Sequence, residues 1–174
     1  VLRGNTKRQA KKNIEAHYDL GNDFYQLWLD SSMTYSSALF DKPYKSLATD
    51  AARLQAAQIN KYERVLGQLG GAKNILEIGC GWGGFALVAT EAARRVTGLT
   101  LSSEQLAFAK DRFAKLGRSE QVNFKLQDYR DIGLAMPHQY DGIASIEMFE
   151  AVGESYWPSY FACIARNLKA GGRA

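Results

Sequence analysis

The chain contains only two cysteines, Cys80 and Cys163, and no apolar run much longer than residues 160–165. A membrane-spanning helix needs roughly 20 apolar residues, so no segment is predicted to cross a bilayer. The two cysteines are far apart, and 46% of the 174 residues are hydrophobic, which excludes disulfide-rich and disordered classes. No charged-then-apolar leader opens the sequence, so we expect a globular protein of the reducing cytoplasm with free thiols.

Excess positive charge is absent from most of the chain. Of its 22 bases and 18 acids, five bases and no acid fall in residues 1–12, which leaves the remainder at −1. These five bases are Arg3, Lys7, Arg8, Lys11 and Lys12. Such a segment attracts anionic phospholipid or nucleic acid, at about 1 kcal/mol per base near a membrane. The alternative is a solvated helix face or tail.

The amino-terminal third has the residue pattern of helices and turns. Helices are predicted at residues 7–20, 23–29 and 49–69, with a tyrosine- and serine-rich loop over 31–46. The third helix is amphipathic and closes at Gly70-Gly71, the internal boundary visible in the sequence. We therefore expect a helical unit over residues 1–70.

From residue 71 onward, short apolar strands alternate with helices. Strands are predicted at 74–78, 95–99, 122–126 and 142–146. Helices are predicted at 83–94, at 102–116 behind a Ser102-x-x-Gln105 capping box, and at 156–168, ending at Gly171-Gly172. The alternation predicts an α/β fold with a parallel, Rossmann-like sheet. Four strands would leave an open edge, so we expect residues 71–174 to be truncated before the last strands of the sheet.

The sharpest motif joins a strand to a helix through a glycine-rich turn. Gly79, Gly81 and Gly84 satisfy G-x-G-x-x-G, which lets backbone approach a ligand at a helix N-terminus. A dinucleotide site also needs an acid at the end of the second strand, where residues 98–102 have none. Glu77 lies instead two residues before the first glycine, and the string resembles the E/D-x-G-x-G-x-G motif of class I S-adenosylmethionine (SAM) methyltransferases. A tight turn without a ligand is the alternative.

That resemblance implies a place for each part of SAM. The glycines admit its methionine part, and the acid acts in the hydrogen-bond network of the loop. Asp128 and Tyr129 follow the third strand, where such enzymes commonly place residues around adenine. The ring would stack on the base while the carboxylate accepts from its amino group. A strand-ending turn is the alternative for this pair.

Several strings are similar, in order and spacing, to the cyclopropane fatty acyl phospholipid synthase family, which includes the mycolic acid cyclopropane synthases. They are His17–Tyr25, Met33–Phe40, Glu77–Gly84, Gly98–Ser102 with Gln105, and Phe149-Glu150. The resemblance implies a SAM-dependent enzyme that alkylates the cis double bond of a lipid acyl chain. It also implies SAM contacts at Tyr35, Ser36, Gly79, Gly81, Thr100, Leu101 and Gln105.

The family also holds a bicarbonate ion, thought to serve as the base. The resemblance implies ligands for this second cofactor at Glu150 and at the strand-end backbone of Ile146. Ser37 stands where the family has a cysteine, and Ala151 stands where it has a histidine. The two departures weaken the expected hold on the anion.

Glu150 is a candidate catalytic residue apart from any resemblance. It follows an apolar strand, at the carboxyl edge where open α/β sheets bind ligands. A carboxylate there can stabilise a carbocation or hold the proton of an anion; the alternative is a helix N-terminal acid favoured by the macrodipole. The two histidines, His17 and His138, have no metal-ligand spacing, so no metal is predicted.

The glycine-rich motif predicts a SAM-dependent methyltransferase, and the family resemblance implies that it acts on carbon, in the unsaturated acyl chains of phospholipid. Residues 1–70 would cap SAM and lipid, residues 71–174 would bind SAM, and the product would be a cyclopropane or a methyl or methylene branch. We expect a cytoplasmic protein that contacts the inner, anionic membrane face. The alternatives are a small-molecule SAM methyltransferase and a nucleic-acid-binding domain. The near-neutral remainder and the lack of bases interleaved with aromatics argue against nucleic acid.

Overall fold

The structure is a computed structural model that describes residues 6, 7, 9, 10, 21–40 and 51–174. Helices over these residues are α1 (Gly21–Gln26), α2 (Ala51–Gln68), α3 (Gly84–Glu91), α4 (Ser103–Lys115) and α5 (Trp157–Asn167). The strands are β1 (Asn74–Ile78), β2 (Arg95–Thr100), β3 (Val122–Leu126), β4 (Tyr140–Ala144) and β5 (Leu168–Arg173). None of these helices is both long and apolar enough to span a bilayer.

Parts of the predicted amino-terminal pattern fall outside the described residues. The helix expected over 7–20 does so except at residues 7, 9 and 10, and the loop expected over 31–46 is described only as far as residue 40. The ammonium of Lys7 pairs with the carboxylate of Asp131, which lies in the short helical turn after β3.

All five strands run parallel in one sheet of order β3-β2-β1-β4-β5. The predicted α/β fold with a parallel sheet is therefore confirmed. β1 lies at the centre, where Glu77 pairs with Gly98 of β2 on one side and Ala144 of β4 on the other. The carboxyl ends of these strands meet at one edge of the sheet, which is where such folds bind ligands.

An apolar core covers each face of the sheet, and successive side chains of β1 point into the two cores in turn. Ile75 packs on one face with Phe85 of α3 and Phe113 of α4. Leu76 and Ile78 pack on the other face, in the core that receives α5. Side chains alternate along a strand with a period of two, so Glu77 lies on the same face as Ile75.

α2 belongs to the first of these cores. Tyr62, Leu66 and Leu69 of α2 pack with Ile75 of β1. The Tyr62 hydroxyl also lies 3.0 Å from the hydroxyl of Thr34. A Cβ placed on Gly84 would lie only 2.7 Å from the Tyr62 hydroxyl oxygen, so α2 approaches the glycine-rich turn as closely as the absence of a side chain allows.

The prediction of four strands is wrong, because residues 168–173 form a fifth strand, β5. The sequence Leu-Lys-Ala-Gly-Gly-Arg has no β-branched or aromatic residue, and its glycines indicated a helix end rather than a strand. In the structure it pairs in parallel with β4 at Tyr140↔Leu168 and Gly142↔Arg173, with a register shift between them.

The end of β4 also differs from the prediction. The strand spans Tyr140–Ala144 rather than 142–146. Ile146 and Glu147 therefore lie beyond the strand, and both line the cavity at the edge where the strands end. Glu147 has a φ of 49°, in the left-handed region, which is rare for a residue with a side chain.

Candidate active site

A cavity of about 620 Å³ opens at the carboxyl ends of β1, β2, β3 and β4. Its walls include every candidate cofactor-binding and catalytic residue except Ser37. They are Tyr35, Ser36, Glu77, Gly79, Gly81, Thr100, Leu101, Gln105, Asp128, Tyr129, Ile146 and Glu150. Ser37 lies next to this wall rather than in it, and Ala151 is part of the wall.

The glycine-rich turn forms the floor of the cavity. Backbone N–H groups of Gly79 and Cys80 both donate to the carbonyl of Leu99, at 3.0 and 2.8 Å, which fixes the turn to the end of β2. Gly81 has a φ of 52°, and a Cβ built there would meet no atom within 4 Å. The backbone of Gly81 is therefore open toward the space that a ligand would fill.

Glu77 is a buried acid without full hydrogen bonding. Only 4% of the residue is exposed, and its Oε2 atom is buried with no hydrogen-bond partner. Burial raises the pKa of Glu77 well above its usual range, because the surroundings disfavour the charged form. A cationic or N–H-bearing group in the cavity would supply the missing partner.

The start of α4 is organised around Thr100 and Gln105. The Ser102 hydroxyl accepts the backbone N–H of Gln105 at 3.2 Å, which is the N-cap half of the predicted capping box. The reciprocal half is absent, because the Gln105 side-chain oxygen accepts instead from the Thr100 hydroxyl at 2.8 Å. The Thr100 oxygen in turn accepts the backbone N–H of Ser102. These bonds hold two predicted SAM contacts in the cavity wall.

Asp128 is already paired within the chain. Its carboxylate receives Arg130 Nε at 2.8 Å and Arg130 Nη2 at 2.6 Å, together with the Arg130 backbone N–H. Burial opposes ionisation, but the bonds from Arg130 prevail and lower the pKa of Asp128. The guanidinium also lies 5.5 Å from the Tyr129 ring. Arg130 was missed in the sequence, although it directly follows the predicted pair.

A second set of polar residues surrounds Ser36 and Ser37. The Lys61 ammonium donates to the Ser36 hydroxyl, and the Gln58 side-chain amide donates to the Ser36 carbonyl at 2.8 Å. The backbone N–H of Ser37 donates to Glu147 Oε1 at 2.7 Å. Three of these residues, Gln58, Lys61 and Glu147, were not singled out in the sequence. Only Glu147 had a signal, as a second acid beside Glu150.

Aromatic side chains connect α1 to the cavity. Tyr25 lies 5.1 Å from Trp82 and 5.6 Å from Tyr35, measured between ring centroids. The indole N–H of Trp82 donates to Asn22 Oδ1 at 2.6 Å. Two cavity residues, Trp82 from the turn and Tyr35 from the loop after α1, are thus held against the first described helix.

The cysteines are both buried as free thiols, as expected. Cys80 belongs to the glycine-rich turn, and burial raises its pKa well above the usual range. Across the part of the chain that the structure describes, no three His, Cys, Asp or Glu side chains group closely enough to hold a metal ion.

The strands are parallel, and the cavity is built on a glycine-rich turn after the central strand. This strand order and this position of the cavity are those of the Rossmann-like fold of the class I SAM methyltransferases. One such structure is mycolic acid cyclopropane synthase CmaA1 complexed with SAH (S-adenosylhomocysteine) and CTAB. It matches with a TM-score of 0.79 and 33% identity, over 92% of this chain and 53% of that chain.

The chain belongs to the mycolic acid cyclopropane synthetase family, whose model matches residues 5–174. The tuberculostearic acid methyltransferase UfaA1 of Mycobacterium tuberculosis is 39% identical over 169 residues, 96% of this chain and 39% of that protein. The cyclopropane-fatty-acyl-phospholipid synthase of Escherichia coli K12 is 40% identical over 171 residues, 94% of this chain and 41% of that protein. The chain thus spans less than half the length of these relatives, and the family resemblance seen in the sequence is confirmed.

We expect Glu77→Gln to stabilise the chain in the absence of ligand. The folded pKa of Glu77 lies above the unfolded value, so ionisation disfavours folding, and stability falls as pH rises from about 4.5 through the folded pKa. The amide removes this cost and should raise the free energy of unfolding at neutral pH by about 1–3 kcal/mol.

Urea denaturation across this pH range measures the effect. Glu120→Gln is the matched control, because Glu120 is an exposed acid outside the cavity. An equal response of the two variants would contradict the assignment of a destabilising charge to Glu77.

Proposed function

We propose that this chain is the SAM-binding part of a C-methyltransferase that acts on the cis double bond of an unsaturated fatty acyl chain. One observation carries the proposal: Glu77, whose Oε2 atom is buried and unpartnered, and the open backbone of Gly81 line the same cavity at the carboxyl edge of the sheet. A buried acceptor without a donor needs an explanation, and at the wall of a cavity a bound ligand that donates to it is one.

The residues of the cavity suit the chemistry of SAM. Its amino acid part offers an ammonium for Glu77 and a carboxylate for backbone N–H groups, and its adenine offers a face for Tyr129. The residues that would hold it are Tyr35, Ser36, Glu77, Gly79, Gly81, Thr100, Leu101, Gln105, Asp128 and Tyr129. Because both Asp128 oxygens bind Arg130, this carboxylate would accept from adenine only as an additional acceptor. When bound, SAM supplies a methyl group made electrophilic by its sulfonium.

The other requirements of the reaction must be met by the residues of the protein. They must place an alkene in line with the methyl group and keep water away from a developing carbocation. Glu150, on the short helical turn Phe149–Ala151, adds a carboxylate to the wall. Trp82, buried in the turn, and Tyr35 supply apolar surface. We propose that residues 1–70 act as a cap over this space, with α1 and the loop after it covering the cavity and α2 anchored in the apolar core of the sheet. The contacts of Asn22 and Tyr25 with Trp82 support this role.

The acyl substrate is supported by the names of the relatives. They include fatty acid methyltransferases, cyclopropane-fatty-acyl-phospholipid synthases and cyclopropane mycolic acid synthases. Among the lipids in these names, we propose an acyl chain carried by phospholipid as the substrate. The carbon that accepts the methyl group would then lie in the bilayer interior, so the enzyme must reach its substrate from the membrane surface.

We propose a methyl or methylene branch, rather than a cyclopropane, as the main product. Ring closure needs a base that removes a proton from the new methyl group, and in the family that base is thought to be bicarbonate. Ser37 and Ala151 lack the thiol and imidazole expected around such an anion. The Glu147 carboxylate, 2.7 Å from the Ser37 nitrogen, adds like charge there. These residues do not fit a tightly held bicarbonate, and the methyltransferase UfaA1 supports the branched product by its name.

We expect Gly81→Val to abolish binding of SAH to the intact protein, because its side chain would project into open cavity space. Gly117→Val is the matched control: Gly117 also has a positive φ, 67°, and open space at its Cβ, but it does not line the cavity. Both variants carry the same kind of backbone strain. Calorimetry should find a loss of at least about 100-fold, equivalent to about 3 kcal/mol, for Gly81→Val alone. Equal affinities in the two variants would place the cofactor elsewhere.

A host that expresses the intact protein should accumulate methyl-branched or methylene acyl chains in its phospholipid. Incubation with labelled SAM and mixed lipids, followed by mass and NMR analysis, identifies the product and separates lipid from small-molecule acceptors. Glu150→Gln should cripple turnover, because the cation loses a carboxylate, and Ser37→Cys with Ala151→His should shift product toward cyclopropane. Cyclopropane as the main product of the unaltered protein, at a bicarbonate-dependent rate, would overturn the argument.

We also propose that the basic end, residues 1–12, attracts the protein to anionic bilayers. Replacement of Arg3, Arg8, Lys11 and Lys12 by Gln should weaken binding to anionic vesicles by about 1 kcal/mol per base. The binding should also weaken at high salt, which shortens the Debye length below about 8 Å. Lys110→Gln with Lys115→Gln is a control in which charge is lost from α4. Unchanged vesicle binding after the first set of replacements would make the basic end a solvated tail.

A further inference from the structure

The chain segment Tyr35–Ser37 is held from two sides by charged residues that lie far away in the sequence. On one side, Lys61 of α2 donates to the Ser36 hydroxyl, and Gln58, one helical turn earlier, donates to the Ser36 carbonyl. On the other side, Glu147 after β4 accepts the Ser37 N–H. Lys61 and Gln58 also bond to each other, at 2.6 Å.

Two carboxylates on neighbouring elements interact with the Lys61 ammonium. Glu147 comes from the turn after β4, and Asp30 from the loop after α1, and both favour its charged form. The ring of Tyr62, on its own helix, lies 4.6 Å from the ammonium, and Arg112 of α4 lies near the same Asp30. Burial outweighs the two acids and lowers the pKa of Lys61 to about 8.

Lys61 acts on the cavity through other residues. Tyr35, Ser36 and Glu147 line the cavity, whereas Lys61 does not. Its ammonium is therefore placed to hold the wall rather than to touch a ligand.

We propose that Lys61 is a positioning residue: together with Glu147 it holds the Tyr35–Ser37 segment against the cavity and thereby sets the affinity of the site for SAM. This inference rests on the proposed function for the identity of the ligand. It assigns to a lysine of α2 a role that no motif in the sequence indicated.

Because the charge on Lys61 depends on pH, the strength with which it holds the Tyr35–Ser37 segment should also depend on pH. Below about pH 8 the ammonium attracts both the Ser36 hydroxyl and the Glu147 carboxylate, and above it the neutral amine loses the attraction to Glu147. Affinity for SAH should therefore fall as pH rises past this value. Lys61→Arg keeps its charge over the whole range and should remove the part of this fall that Lys61 causes, while the part caused by loss of charge on the amino group of SAH remains in both proteins. Glu147→Gln removes an acid that raises the pKa of Lys61, so the midpoint of the fall should move to lower pH.

Hydrogen exchange of the intact protein without ligand tests whether Lys61 and Glu147 hold the Tyr35–Ser37 segment in place. Peptides that contain residues 35–37 should exchange faster at fixed pH in Lys61→Met and in Glu147→Gln, and at the normal rate in Lys61→Arg. Lys110→Met, an exposed lysine of α4, is the matched control. Unchanged exchange in both Lys61→Met and Glu147→Gln would overturn the proposal.

Calorimetric titration with SAH tests the consequence for the cofactor. Between roughly pH 6 and pH 10, we expect Lys61→Met to bind about tenfold more weakly than the unaltered protein at the acidic end, since a charge-assisted bond is lost. Affinities of Lys61→Met and Lys61→Arg that match the unaltered protein at every pH would overturn the link to SAM. If the unaltered protein fails to bind SAH, the proposed function and this link fall together, while the exchange measurement still decides whether the hold exists.

Discussion

The turn between β1 and α3 depends on one shared acceptor, the carbonyl oxygen of Leu99. Two successive N–H groups, of Gly79 and Cys80, donate to it and fix the turn to the end of β2. The neighbouring Gly98 leaves no room for a side chain, since a Cβ there would lie 2.7 Å from the Phe124 ring and 2.9 Å from Cys80 Cβ. The backbone that would receive the cofactor is therefore already fixed by hydrogen bonds and close packing without a ligand, which lowers the cost of ordering it on binding.

Most of the sheet could be predicted from local patterns. β1 and β3 match their expected bounds, because each combines a short apolar core with clear turn signals on either side. β5 could not be predicted, since its stability comes from pairing with β4 and from no property of its own residues. The end of β4 was misplaced for a related reason: Ile146 is apolar like a strand residue, but it lies beyond the end of the strand at Ala144 and lines the cavity.

The residues of the candidate site also fall into those that could be predicted and those that could not. Gly79, Gly81 and Glu77 could be predicted because their spacing within one continuous motif indicates a binding site. Lys61 and Gln58 were hidden in an ordinary amphipathic helix, and only the fold brings them to Ser36. The capping box shows the limit of a local motif, since Gln105 satisfies the pattern but gives its side chain to Thr100.

The contact between Tyr62 and Gly84 crosses the Gly70-Gly71 boundary that the sequence marks so plainly. The Tyr62 hydroxyl occupies the space that a side chain on Gly84 would need, and α2 shares its apolar core with β1 and α3. Recombination between members of the family at this boundary would separate two surfaces that pack directly against each other. Chimaeras that exchange the amino-terminal unit should therefore keep α2 with the sheet and join the parent sequences ahead of residue 51.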